Sequence, residues 1–141
     1  TYAAVLRGAP QVLTAPAGFR FMDSRSGFVS LLNLASLRAL AAKACVRTID
    51  PRRFRANIGL EGLPPWGEFD LVGTEISVGS ARLRVLKRTE RCAATHADPD
   101  RGVRDLDTVG ILQREFGHAD CGVYAEVIDS GEVAIGDRLT A

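Results

Sequence analysis

Apolar and polar positions along the chain switch period several times, and most switches mark short strands. Gln11–Thr14 and Phe19–Met22 each carry a brief apolar run between Pro- and Gly-containing turns. Asp23-Ser24-Arg25-Ser26-Gly27 is a polar turn, and the apolar run Phe28–Leu32 predicts another strand. The spacing then becomes helical. Leu34, Leu37, Leu40, Ala41 and Ala44 fall on one face, and Asn33 stands where its side chain can cap the free N–H groups. A helix is therefore expected over 34–44. Asp50-Pro51 is a turn, Phe54–Leu60 reads as a strand, and Gly62-Leu63-Pro64-Pro65-Trp66-Gly67 is a rigid loop.

Alternation returns in the second half. Glu75–Val78 and Ala81–Leu86 flank Gly79-Ser80, the signature of a two-residue hairpin, and the second arm continues towards Cys92. Asp98–Gly102 is a turn. Thr108–Phe116 predicts a short helix, with Asp107 as its cap, Gly117 past its end, and Val109, Leu112 and Phe116 on its buried stripe. Gly122–Ile128 and Glu132–Ile135 read as paired strands around Asp129-Ser130-Gly131, and Gly136-Asp137 leads into a last short strand. Many short strands with two main short helices predict a mainly β fold, a mixed β-barrel.

The length of 141 residues suits one domain, and 46% hydrophobic with 25% charged residues excludes disorder as the main state. No apolar run approaches the roughly 20 residues of a membrane helix, and neither a secretory leader nor a membrane partner is expected. The first residue is Thr1 rather than Met, so the chain is expected to be trimmed or cut from something longer. A net charge of +1 argues against a nucleic-acid partner. The charge is unevenly spread. Residues 1–92 hold 14 Lys and Arg against 7 Asp and Glu, whereas 93–141 hold 4 against 10. Either the first two thirds hold an anion, or opposite halves pack against each other. Three cysteines without a CxxC give no disulfide framework and point to a reducing, cytoplasmic setting.

Three clusters carry candidate chemistry. Cys92 follows a basic strand containing Arg82, Arg84, Lys87, Arg88 and Arg91. Such surroundings favour a thiolate, a nucleophile and soft metal ligand; the alternative is a small buried core residue. In a strand, Arg53, Arg55 and Asn57 would share a face, offering two guanidinium forks and an amide to a planar heterocycle or a phosphate. The alternative is a solvated face. Cys92, His96, His118 and Cys121 are formally four zinc ligands, but their order and spacing match no common zinc module. His118 and Cys121 then read as loop-end residues, and Cys45 as core packing. Of the three thiols, Cys92 is expected to be solvent-reachable, Cys121 intermediate and Cys45 buried.

At these residues the sequence resembles the MOSC domain, the C-terminal module of molybdenum cofactor sulfurases. The resemblance is nearest to the branch containing the mitochondrial amidoxime reducing component. Its pieces run in family order over about residues 19–141: Asp23-Ser24, Leu31-Leu32, Ala35-Ser36-Leu37, Arg53-Phe54-Arg55-Ala56-Asn57-Ile58 and Pro65-Trp66-Gly67-Glu68. Ile76-Ser77-Val78-Gly79, Arg91-Cys92-Ala93-Ala94-Thr95, Asp98–Gly102, Gly122–Val127 and Ile135-Gly136-Asp137 follow. The resemblance implies a β-barrel that holds a molybdopterin cofactor. It implies that Cys92 ligates molybdenum and is the catalytic position, that Arg55 and Asn57 reach the pterin with Arg53 on the same motif, that Arg91 lies beside the ligand, and that Asp23 and Ser24 approach the pterin from a loop.

Family members usually carry an N-terminal barrel that grips the cofactor phosphate. Here residues 1–18 read as a strand and loop segment, a remnant of such a domain, so the isolated chain is expected to be free of cofactor. Ala56 stands where the family often has proline, and Leu106–Phe116 is short for the branch. Three functions follow as expectations. The first is a molybdenum-cofactor domain of an oxidoreductase that reduces N-hydroxylated small-molecule substrates with electrons from a redox partner. The second is a sulfur carrier or cofactor-delivery module, with a Cys92 persulfide supplied by a sulfur-donor protein. The third is a non-catalytic anion-binding barrel.

Overall fold

The structure, a computed structural model, describes residues 28–141. The strands expected at Gln11–Thr14 and Phe19–Met22, and Asp23 and Ser24, lie outside the described residues. Six strands form one curled sheet, a half-barrel: β1 (Val29–Asn33), β2 (Ile58–Leu60), β3 (Glu75–Val78), β4 (Ala81–Glu90), β5 (Asp120–Asp129) and β6 (Leu139–Thr140). Their order is β2-β1-β5-β4-β3-β6, and every pairing is antiparallel except the parallel β1–β2 pair. A parallel neighbour needs a crossover, and α1 (Leu34–Lys43) lies within it.

Both helices start and stop where their local chemistry dictates. The Asn33 side chain accepts from the Ala35 N–H at 3.0 Å, and Leu37, Leu40 and Ala41 face inward. Asp107 accepts from the Gly110 N–H at 3.0 Å to open α2 (Thr108–Phe116), and Gly117 closes it at φ 76°. Two apolar clusters result. Leu32, Leu40, Phe54, Leu112 and Cys121 lie between the helices and the sheet. Leu31, Ile76, Leu83, Val85 and Val123 fill the inside of the curl.

Three expectations need correction. The strand expected over Phe54–Leu60 begins only at Ile58. Pro51 opens a 3₁₀ turn through Phe54, Asp50 caps it by accepting from the Arg52 N–H at 2.8 Å, and Arg55 turns left-handed at φ 51°. Arg53, Arg55 and Asn57 therefore do not share a strand face. The strand expected at Glu132–Ile135 does not form. The Glu132 N–H donates to Ser80 Oγ at 2.9 Å and the Ala134 N–H to Asp137 Oδ2 at 2.8 Å, so side chains take amides a ladder would need. The cysteines trade places: Cys45 is exposed, because α1 has ended and Cys45 takes the left-handed position after it at φ 56°, whereas Cys121 is buried inside β5.

Candidate functional site

Cys92 stands exposed just past the end of β4 and opens a 3₁₀ turn, Ala93–His96. Its carbonyl accepts from the Thr95 N–H at 3.1 Å and from the Thr95 hydroxyl at 2.9 Å. Thr95 Oγ1 also lies 2.6 Å from Thr108 Oγ1. Since the Thr95 proton goes to Cys92, Thr108 supplies the other. The backbone under the thiol is thus fastened to the first residue of α2.

Arg91 fastens it on the other side. Its Nε donates to the Cys121 carbonyl at 2.7 Å and Nη1 to the Phe54 carbonyl at 2.9 Å, and the guanidinium lies 5.2 Å from the Phe54 ring. Burial holds this guanidinium below its ordinary value, offset in part by Cys121, Tyr124 and Cys92 around it. Nη2 is buried with no partner among the described residues. Gly122 makes room for it: at φ +85°, a Cβ there would stand 2.5 Å from the Leu31 carbonyl oxygen and 3.1 Å from Nη2. Glu68, completely buried, sets Gly122 in place by accepting its N–H at 3.3 Å, together with bonds from Asn33 Nδ2 (2.9 Å) and Ser36 Oγ (2.8 Å).

Arg53 is also turned inward. Its side chain is 8% exposed, donating to the His96 carbonyl at 2.9 Å and pairing with Asp105 at 2.8 Å, with Asp98 at 3.7 Å. Arg55 differs. It is exposed, and it has no carboxylate within ion-pair distance among the described residues. Its amide belongs to the peptide whose carbonyl Arg91 holds, so Arg55 and Cys92 are the next residues along from a bonded pair. Asn57 stands beside Ser30: its Oδ1 accepts the Ser30 N–H (2.9 Å) and hydroxyl (2.8 Å), leaving its Nδ2 able to donate outward.

The four formal zinc ligands are not assembled. Among the described residues no group of three or more His, Cys, Asp or Glu gathers as a metal site. His118 sits among Trp66, Phe69 and Phe116, with ring centroids 5.1, 5.3 and 6.3 Å away, and its Nδ1 accepts the Asp120 N–H at 3.2 Å. Burial pushes the Cys121 thiol up to about 12. Two surface grooves, about 610 Å³ beside the Gly79 turn and about 460 Å³ along α1, do not include Cys92.

Ser30 and Tyr124, which the sequence did not single out as site residues, join Lys87 and Asn57 in one row. Register places Ser30, Tyr124 and Lys87 opposite one another on β1, β5 and β4, and Asn57 extends the row beyond Ser30. Period-2 alternation gives each residue's face, but only the register aligns them.

The MOSC domain family matches residues 20–140, and the chain belongs to that family, whose name comes from the molybdenum cofactor sulfurases. Among solved structures it is similar to the YuaD protein from Bacillus subtilis, at TM-score 0.61 and 20% identity, over 79% of this chain and 61% of that one. The chain thus spans about three fifths of that relative's length, and the likeness is one of fold. No curated protein matches. The residues present fit a molybdenum cofactor: an exposed thiol is the soft ligand such a metal takes, Arg55 follows the Phe54 carbonyl held by Arg91 and has no carboxylate within ion-pair distance among the described residues, and Asn57, two positions on, bonds Ser30 through its oxygen and keeps its amide N–H groups for donation.

Proposed function

We propose that this domain holds a molybdenum cofactor with Cys92 as the protein ligand to the metal, within an oxidoreductase that reduces N-hydroxylated or related small molecules using electrons from a redox partner. The observation that carries the reading is the exposed Cys92 thiol, on a backbone fastened from two sides, one of them through Arg91 to the peptide that precedes Arg55. Bound there, the cofactor supplies two-electron redox chemistry at molybdenum. The chain's own residues do the holding. Cys92 would hold the metal through its sulfur, Arg55 would offer two parallel N–H donors to a planar or anionic edge, and the Asn57 amide would donate one more. Arg91 and Arg53 keep that wall in place from inside rather than touching the ligand. Asp23 and Ser24 are assigned to the same pterin on the family motif.

Full-length protein loaded with molybdopterin and analysed by metal mass spectrometry tests this. The expected result is near one molybdenum per chain, falling at least tenfold in Cys92→Ser with an unchanged circular dichroism spectrum. Equal metal in both proteins would sink the reading. The exposure of Cys92 also suits the sulfur-carrier reading, which predicts instead a 32 Da gain on Cys92 after incubation with a sulfur donor, with no metal required.

A further inference from the structure

Lys87 stands out from its neighbours on β4. Arg82 and Arg84 each pair with two carboxylates, from Glu75 and Asp129 and from Glu75 and Glu126. Lys87 has no carboxylate within ion-pair distance among the described residues, and its ammonium lies over two aromatic rings, 5.5 Å from Phe28 and 6.0 Å from Tyr124. Those rings lie 5.4 Å apart. The half-exposed Tyr124 sits between Ser30 and Lys87 in the row that ends at Asn57. Adjacent strands are about 4.8 Å apart, so the row from Asn57 to Lys87 is roughly 14 Å long. It offers an amide at one end, an aromatic face in the middle and an unneutralised cation at the other. Its Asn57 end lies two residues on from Arg55, which follows the Phe54 carbonyl that Arg91 holds.

We propose that Tyr124 and Lys87 form a binding subsite for a planar ring carrying a negative group, carboxylate or phosphate, with the ring over Tyr124 and the charge on the Lys87 ammonium. This rests on the reading of the Cys92 region as a ligand site and adds its far end. An ammonium poised on aromatic faces keeps its hydrogen-bond donors directed outward, and it is neutralised when an anion arrives. The Tyr124 ring meets a planar ligand at little entropic cost, because strand pairing on both sides already fixes its backbone.

Fluorescence titration of the full chain with pterin-6-carboxylate and with neutral pterin tests the subsite. The charged probe is expected to bind about tenfold more tightly than the neutral one. Lys87→Met should abolish that preference, Tyr124→Ala should weaken both probes at least fivefold, and Arg55→Ala should weaken both while leaving the preference intact. Lys87 is exposed, so its variant keeps the fold, and thermal denaturation checks this for Tyr124→Ala. If Lys87→Met keeps the charge preference, or Tyr124→Ala binds like wild type, the subsite is overturned while an Arg55 effect leaves the wider reading standing. If Lys87→Met acts and Arg55→Ala does not, the subsite stands and the assignment of Arg55 falls. Absence of binding by the wild-type chain overturns both. Carboxylate and phosphate ligands are separated by competing the charged probe with inorganic phosphate.

Discussion

The two halves of β4 carry similar numbers of cations and use them in opposite ways. Towards the Gly79-Ser80 turn, Arg82 and Arg84 lie exposed and share carboxylates at 2.7–3.2 Å. Towards Cys92, Arg91, just past the strand, is half-buried on backbone carbonyls, Arg88 lies 3.9 Å from Asp120 and 4.3 Å from the Phe69 ring, and Lys87 rests on aromatic faces. Sequence alone makes this one continuous basic strand. The structure divides it into a half whose charge is cancelled locally and a half whose charge is structural or free. Exposed pairs are screened and contribute little, whereas a buried guanidinium on two carbonyls stabilises by what its loss would leave unsatisfied.

The hardest test of that contrast is Gly122→Ala, opposite the Cys92 half. A Cβ would meet the Leu31 carbonyl oxygen and crowd Arg91 Nη2, with the backbone at φ +85°. A loss of about 3 kcal/mol in urea denaturation is expected, with Cys92 alkylation altered. Next comes Arg91→Met, which fills similar space but strands the Phe54 and Cys121 carbonyls; about 2 kcal/mol is expected. A smaller effect should appear with pH. The Arg53 guanidinium holds the Asp105 carboxyl below its ordinary range. Its stabilisation is therefore complete above the unfolded value of about 4 and is lost as pH falls through the lower folded value. Thermal midpoints should drop below pH 4 in the wild type, with a shallower fall in Asp105→Asn. The smallest effect belongs to the turn half. Glu75→Gln removes one partner from both Arg82 and Arg84 and should leave the urea midpoint within experimental error. A large loss there would erase the distinction between the halves.

Much of the frame was legible because it is set locally. Asn33 and Asp107 cap the helices they were expected to cap, Gly117 ends α2, and Gly79-Ser80 turns the hairpin. The 51–57 segment was not, because its β-like composition yields to a proline-started turn and a left-handed arginine. Cys45 was read as core packing at the end of a helix expected to reach 44, but α1 stops at Lys43, and Cys121 became core because β5 starts at Asp120. Within the site, the flanking charge made Cys92 readable as a surface thiol. The inward turn of Arg53 and Arg91 was not readable, since an arginine beside a candidate ligand looks the same in sequence whether it faces the ligand or a carbonyl. Lys87 and Tyr124 needed the strand register.

The parallel joining of β2 to β1 also orders the assembly of the molecule in time. Asn57 meets Ser30 at a separation of 27 positions along the chain, whereas β3 and β4 meet across a two-residue turn. Closing the longer loop costs more entropy before any contact rewards it, so the hairpin zips early and the Asn57 seam closes late. The same seam has only three strand residues to hold it and opens more cheaply than the long β4–β5 pairing. A ligand reaching from Cys92 to Asn57, as proposed above, would act there as a staple, binding only after the seam has shut and then slowing its reopening.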